Sequence, residues 1–273
     1  MYRQNLHTHG ILCDGKNDYE DTIKRAMKLG FDSIGFSMHS YAYYSPHGGG
    51  TPQDNSVKYK KIIRDLQKKY DGTIDVFCGL ELDAYSDVDV NGYDYIIGSF
   101  HYFKFGDTFP AMDTTPQGVQ KVIDEYFGGD GVKYYKEYFR QFAEMPNYVK
   151  KIPDIVGHFD LIAKHDGKHF FFDTQSKEYK DSALECLHAL AEKIGVFELN
   201  TGGLVRGYRD YPYLPPFILK ELKNIKAGVV ISSDCHDNRF LNAYFSEAEE
   251  LLKSCGFTEA LVLTKEGFKG VKL

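Results

Sequence analysis

The stretch DYEDTIKRAMKLGFDSIGFS, residues 18–37, joins two periodicities end to end. Ile23, Ala26, Met27 and Gly30 recur at helical spacing, and the glycine supplies a C-terminal stop. SIGFS (33–37) then reads as a short apolar strand. The same design returns in KEYKDSALECLHALAEKIG (177–195), which stops at Gly195 directly before VFELN (196–200). It returns again in PPFILKELKNIKAG (215–228) and NRFLNAYFSEAEELLKSCG (238–256), with Pro at one entry and Gly at both exits. Six further strand-like runs are RQNLH (3–7), DVFCGLEL (75–82), DYIIGSF (94–100), DIVGH (154–158), GVVISS (228–233) and EALVLT (259–264). Repeated βα units imply a parallel sheet, and seven or eight of them predict a closed α/β barrel forming one domain over residues 1–273. The structural alternative is an open doubly wound sheet, but no GxGxxG follows the first strand to support its dinucleotide-binding version. The Tyr-rich region 131–148 reads as an inserted helix.

Composition narrows the function. Of 273 residues, 42% are hydrophobic and 26% charged, as in a globular protein able to bury a core. A net charge of −6 provides no basic footprint for nucleic acid. A small anionic substrate remains compatible, because a local cluster of cations outweighs the charge of the whole molecule. Five scattered cysteines without a CxxC pair fit reduced thiols. No basic region followed by an apolar run opens the chain, and no stretch approaches the 18 apolar residues of a membrane span, so the expectation is a soluble, cytoplasmic protein. Neither composition nor motif specifies an oligomeric state.

In a barrel of this kind chemistry is mounted where strands end, at the C-terminal face. His7 and His9 close the first strand, and side chains two positions apart in extended chain point the same way, a chelating arrangement. His39 ends the second strand, Glu81 lies at the end of the third, and His101 follows the fourth. His158 closes DIVGH, and Asp234 and His236 follow GVVISS. Imidazoles and carboxylates without thiolate suit Zn²⁺, Mn²⁺ or Fe²⁺, and this set exceeds the four positions of one tetrahedral ion. More than one metal is expected, a hydrolytic arrangement.

The ordered motifs HTHG (7–10), GLELD (79–83), GHFD (157–160) and SSDCH (232–236), with MHS (38–40) and GSFH (98–101), together resemble the PHP (polymerase and histidinol phosphatase) superfamily. The likeness is greatest to its stand-alone histidinol-phosphate phosphatase branch. It implies a distorted (β/α)7 barrel of TIM-like type, with EALVLT appended or at an edge, and a centre of three divalent metal ions. By position, the first ion takes His7, His9, Glu81 and Asp234. Glu81 bridges to a second held by His101 and His158, and a third takes His39 and His236, with Asp14 where some relatives have histidine. The implied reaction is hydrolysis of a small phosphate monoester, L-histidinol phosphate to L-histidinol and phosphate in histidine biosynthesis, by attack of a metal-bridging hydroxide. In ELNTGGLVRGYRDYP (198–212), Arg206 is the best match to a phosphate-binding arginine and Arg209 the competitor. Asp160 is the candidate general acid or proton relay, and Asp94 a candidate contact for the cationic part of the substrate. His47, in YAYYSPHGGG (41–50), sits in a loop that could fold over the site, and Tyr41, Tyr43, Tyr44 and Tyr102 could stack on an imidazole ring. Rival readings are a phosphoesterase for another small ester or nucleotide, and a metal-binding barrel without turnover.

Overall fold

A computed structural model describes residues 3–45, 55–165 and 170–273. Its seven parallel strands are β1 (Gln4–Asn5), β2 (Ser33–His39), β3 (Asp75–Asp83), β4 (Tyr95–Ser99), β5 (Ile155–Val156), β6 (Val196–Asn200) and β7 (Gly228–Ser232), adjacent in chain order. The edges meet just past the strand ends: His9 N donates to Cys235 O (2.8 Å) and Cys235 N to His7 O (2.9 Å), so the sheet curls into a nearly closed barrel. The open-sheet alternative is thereby excluded.

The helices α1 (Tyr19–Lys28), α2 (Asn55–Tyr70), α3 (Pro116–Phe127), α4 (Gly131–Ala143), α5 (Lys177–Ala191), α6 (Gly202–Val205) and α7 (Pro216–Asn224) occupy crossovers, and α8 (Phe245–Ser254) follows β7. Helix α1 starts where the Asp18 side chain accepts from Glu20 N (2.8 Å), satisfying one orphan donor of the first turn. It buries Tyr19, Thr22, Ile23 and Ala26 against the sheet, while Met27 turns to solvent because 100° per residue carries it off that face. The Tyr-rich insertion is α4, and α3 precedes it in the same crossover. The segment 238–256 is not one helix: a single 3₁₀ turn, Asn238–Phe240, precedes Tyr244 at φ +61°, and only then does α8 begin.

Inside the barrel Leu6, Phe77, Tyr95, Ile97, Ile155 and Val230 form a core of their own. Tyr95 crosses it to donate to the carbonyls of Leu6 and Phe36, and Gly35 and Gly79 are obligatory there because a Cβ at either would overlap the ring. The eighth expected strand, β8 (Glu259–Thr264), pairs antiparallel with β9 (Gly267–Lys272) outside the barrel. Leu263 of this hairpin joins the barrel core, and its backbone exchanges two 2.8 Å hydrogen bonds with the Gln4 amide. The hairpin therefore plugs the N-terminal mouth. With one end closed, the C-terminal end is where side chains from successive strands can meet.

Candidate metal centre

Glu81 is the hub of that end. It is buried, and its Oε2 lies 2.7 Å from His39 Nδ1, 3.3 Å from His7 Nε2 and 3.6 Å from His9 Nε2. Its Oε1 lies 2.9 Å from His158 Nε2 and 3.4 Å from His101 Nε2, and accepts from Ser99 Oγ (2.9 Å). Asp234, at φ +48° two residues past β7, adds an oxygen 3.3 Å from His9 Nε2 and 3.6 Å from His7 Nε2. Asp14 faces His236 Nε2 (3.1 Å), His39 Nε2 (3.5 Å) and His9 Nδ1 (3.7 Å). All nine residues expected as ligands thus converge. Eight of them form overlapping groups, His7 with His9 and Asp234, His7 with Glu81 and His158, and His9 with Asp14, His39 and His236. Against the sets that the resemblance implied, the first group lacks Glu81, the second has His7 in place of His101, and the third adds His9; His101 lies 3.4 Å from Glu81 Oε1 but falls in none of them.

Several buried atoms test whether the cluster fits cations. Among the described residues His7 Nε2 and His9 Nε2 have no hydrogen-bond partner, nor has Glu81 Oε2, towards which the nearby His39 ring nitrogen is not aligned to donate. Each such atom costs about 1–3 kcal/mol if left unsatisfied. All three point at one spot and are imidazole or carboxylate donors, the set that binds Zn²⁺ and similar divalent ions. The electrostatics agree. Burial opposes charge on every member, yet the carboxylates of Glu198, Glu81 and Asp234 hold His7 well above the usual imidazole range. Burial is likewise outweighed at His39 by Glu81 and Asp14, and at His236 by Asp14 and Asp234, so both are raised. At His101, Asp83 and Glu81 do the same. His9 goes the other way, pushed down to about 3 by burial and by the positive His236 and His39. Imidazolium neighbours also hold Glu81 and Asp14 well below the carboxylate range against burial, and Arg206 and His7 do so for Asp234. Divalent cations would take over the balancing positive charge now carried by these protons.

Two supporting carboxylates escaped the sequence reading. Glu198 on β6 lies 2.6 Å from His7 Nδ1 and accepts from His158 N (2.8 Å), Ser232 Oγ (2.5 Å) and Asn200 Nδ2 (3.0 Å). An ionised carboxylate only accepts, so His7 Nδ1 keeps its proton, and Nε2 is the nitrogen that would give up its own and offer a lone pair to an ion. The available signal was a lone Glu in the apolar run VFELN. Asp83, which shares a strand face with Glu81, accepts from His101 N (3.0 Å) and faces His101 Nδ1 (3.2 Å). Tyr44 donates to Asp83 and stacks on Phe109 (4.2 Å), so this ring braces the site.

A cleft of about 400 Å³ opens over the cluster, with Arg206, Tyr208, Tyr213, Lys164 and Asp113 in its walls. Arg206 donates to Asp234 Oδ2 (2.5 Å) and to Asp234 O (3.0 Å), and its side chain is 30% exposed. Arg209 is 0% exposed, lies 4.1 Å over the Tyr211 ring, and pairs with Asp160 (2.8 Å). Of the two arginines, Arg206 is the one in the cleft.

Two expectations are corrected. Asp160 is not in the cleft wall: its carboxylate is committed to Arg209 and to Leu214 N (2.8 Å), a buried pair that ties the loop after β5 to the loop after β6. Asp94 precedes β4 and so lies at the opposite end of the barrel, where Arg64 (2.7 Å), Gln67 (2.7 Å) and Cys78 N (2.7 Å) use its oxygens. His47 lies outside the described residues.

The PHP domain family matches residues 5–202 of the chain. The histidinol-phosphatase of Bacillus subtilis (strain 168) is 26% identical over 256 residues, 86% of this chain and 94% of that protein. Among solved structures, a candidate histidinol phosphatase from Listeria monocytogenes superposes with a TM-score of 0.75 at 20% identity, covering 89% of this chain and 99% of its own. The histidinol phosphate phosphatase of Lactococcus lactis subsp. lactis Il1403, complexed with zinc, L-histidinol and phosphate, superposes at 0.72 with 19% identity over 98% of both chains. These two likenesses establish a shared fold.

Proposed function

The chain belongs to the PHP domain family, and from that premise we propose that it hydrolyses L-histidinol phosphate to L-histidinol and phosphate, as a metal-dependent phosphate monoesterase of histidine biosynthesis. The observation that carries the reading is the convergence of six imidazoles and two carboxylates around Glu81, with His7 Nε2 and His9 Nε2 left unpartnered among the described residues. The names of the relatives support the substrate.

Three divalent ions, zinc, manganese or iron, are proposed, divided among the ligands as the family resemblance implies. His7, His9, Glu81 and Asp234 would hold the first, Glu81 with His101 and His158 the second, and Asp14, His39 and His236 the third. Bound there, divalent ions supply Lewis acidity and an activated water.

The chain's own groups do the rest. Glu198 and Asp83 fix the ring orientations of His7 and His101 before substrate arrives. Arg206 uses part of its five-donor fork on Asp234 and turns the remainder to the phosphate oxygens, where negative charge is concentrated. Leu161, Val205 and Phe240 contribute apolar wall, which restricts water around the bound ester. Five free thiols fit a cytoplasmic setting. The test is kcat/KM for histidinol phosphate against an aryl phosphate, on protein of measured metal content. A preference of about a hundredfold or more is expected if binding energy from the amino and imidazole groups is used in the transition state. Equal values would refute the assigned substrate.

A further inference from the structure

One ion pair in the cleft wall is not needed by the metal-ligand set. Asp113, in the crossover from β4 to α3, accepts from Lys164 Nζ, which follows the 3₁₀ turn Leu161–Ala163 after β5. Both side chains line the cleft that holds His101, His158, Arg206 and Asp234, and Asp113 also lines the adjoining chamber beside Glu81 and Asp83. The carboxylate is held at a set position: Met112 N donates to His101 O (3.0 Å), and His165 Nε2 meets Thr114 O (2.8 Å). Lys164 reaches it on a flexible four-carbon stem and lies 4.6 Å over the Tyr208 ring. Asp113 is 36% exposed and Lys164 14%, so their attraction is screened and contributes little to folding.

This arrangement has a chemical consequence that rests on the phosphatase reading. Asp113 stands in the wall of the same cleft as Arg206, His101, His158 and Asp234, where an ester held by its phosphate at the metal centre would lie. The phosphate ester of a β-amino alcohol carries an ammonium two carbons from the ester oxygen. We propose that Asp113 is the binding site for that ammonium, and that Lys164 fills it as an internal substitute until substrate displaces it. The exchange replaces one ammonium–carboxylate pair by another, so the Asp113 carboxylate keeps an opposite charge throughout. Esters lacking the amine leave Lys164 on Asp113 and forgo that contact. The site therefore selects phosphate monoesters of β-amino alcohols as a class, of which histidinol phosphate is one.

Phosphoethanolamine and propyl phosphate test this, since they differ only in ammonium against methyl. The wild-type enzyme is expected to favour the amine in kcat/KM by about tenfold or more, the scale of a charge-assisted hydrogen bond. Asp113→Asn should reduce that ratio to less than about twofold while its kcat/KM for propyl phosphate stays within about threefold of wild type. Lys164→Met should keep the preference and lower KM for phosphoethanolamine alone, because the internal competitor is gone. That variant decides the matter if Asp113→Asn does not fold, an unchanged KM overturning the proposal. No wild-type preference, a preference that survives in Asp113→Asn, or an equal loss on both esters would also overturn it. Hydrolysis of histidinol phosphate without an amine preference would refute this proposal alone. An amine preference without histidinol phosphate hydrolysis would refute only the substrate named above. If no ester is turned over, calorimetric affinities of the two esters for the metal-loaded protein read the same ratio.

Discussion

Replacing Glu198 by Gln keeps the volume and removes one acceptor and the charge. Four donors meet the carboxylate: His7 Nδ1 and Ser232 Oγ on one oxygen, His158 N and Asn200 Nδ2 on the other. Whichever way the amide is turned, its NH₂ confronts two of them. Turned to His7, it drives the imidazole to the other tautomer and puts a proton on Nε2, the atom that faces Glu81 and Asp234. Loss of such an orienting partner weakens metal binding by about 10–100-fold, or about 1.4–2.7 kcal/mol. Turned to His158, it leaves a buried backbone N–H without an acceptor, at about 1–3 kcal/mol of stability. For a chain of this length that corresponds to a melting temperature lower by about 2–10 °C. The assay is metal content after dialysis against a graded chelator series, read by emission spectrometry, together with thermal melts of the loaded and chelated protein. Glu198→Gln should release metal at lower chelator concentration and melt earlier. Wild-type retention together with a wild-type melt would refute the reasoning that Glu198 sets the state of His7.

Asp160→Asn should leave Arg209 buried without its counter-charge and cost about 3–5 kcal/mol in urea unfolding, with kcat of the folded fraction little changed; a collapse of kcat at wild-type stability would return the acid role to Asp160. Arg206→Lys keeps the charge but loses the fork to Asp234, and kcat/KM should fall by about a hundredfold, unmatched by any comparable loss of bound metal. An unaltered kcat/KM would remove Arg206 from phosphate binding. The pH dependence has a definite sign. In metal-free protein His7, His39, His101 and His236 are raised, so their stabilisation is complete below the unfolded imidazole value of about 6.5 and fades as pH rises through the elevated folded values. Glu81 and Asp234 are depressed, and their contribution is present above about pH 4 and fades as pH falls through the folded values. Metal binding must expel the imidazole protons, so the melting-temperature gap between loaded and chelated protein should widen from about pH 6 to about pH 9. A gap that narrows would contradict the assigned protonation.

What could be read from the sequence was local. Helical and strand periods are set by neighbours a few residues apart, and all eight expected strand runs are strands, seven of them in the parallel barrel. Ligand types at strand ends were legible for the same reason, since a parallel barrel gathers those ends whatever the loops do. Helix α3 was overlooked because its entry is the polar Thr114–Thr115 pair and Gly118 interrupts its first turn. Strand β9, GFKGVK, lacks an apolar alternation, and only its pairing with β8 makes it a strand.

The fate of individual charges was decided by partners distant in sequence. Asp94, Asp160, Glu198 and Asp113 are alike as sequence symbols. Tertiary contacts give them to Arg64, Arg209, His7 and Lys164, at separations of 30, 49, 191 and 51 residues. The chain by itself determined a βα barrel whose strand ends carry imidazoles and carboxylates. Which carboxylate orients a ring, which locks two loops together and which faces the cleft was settled only by folding, because a buried charge takes its role from whatever opposite charge or donor the fold brings within hydrogen-bond reach.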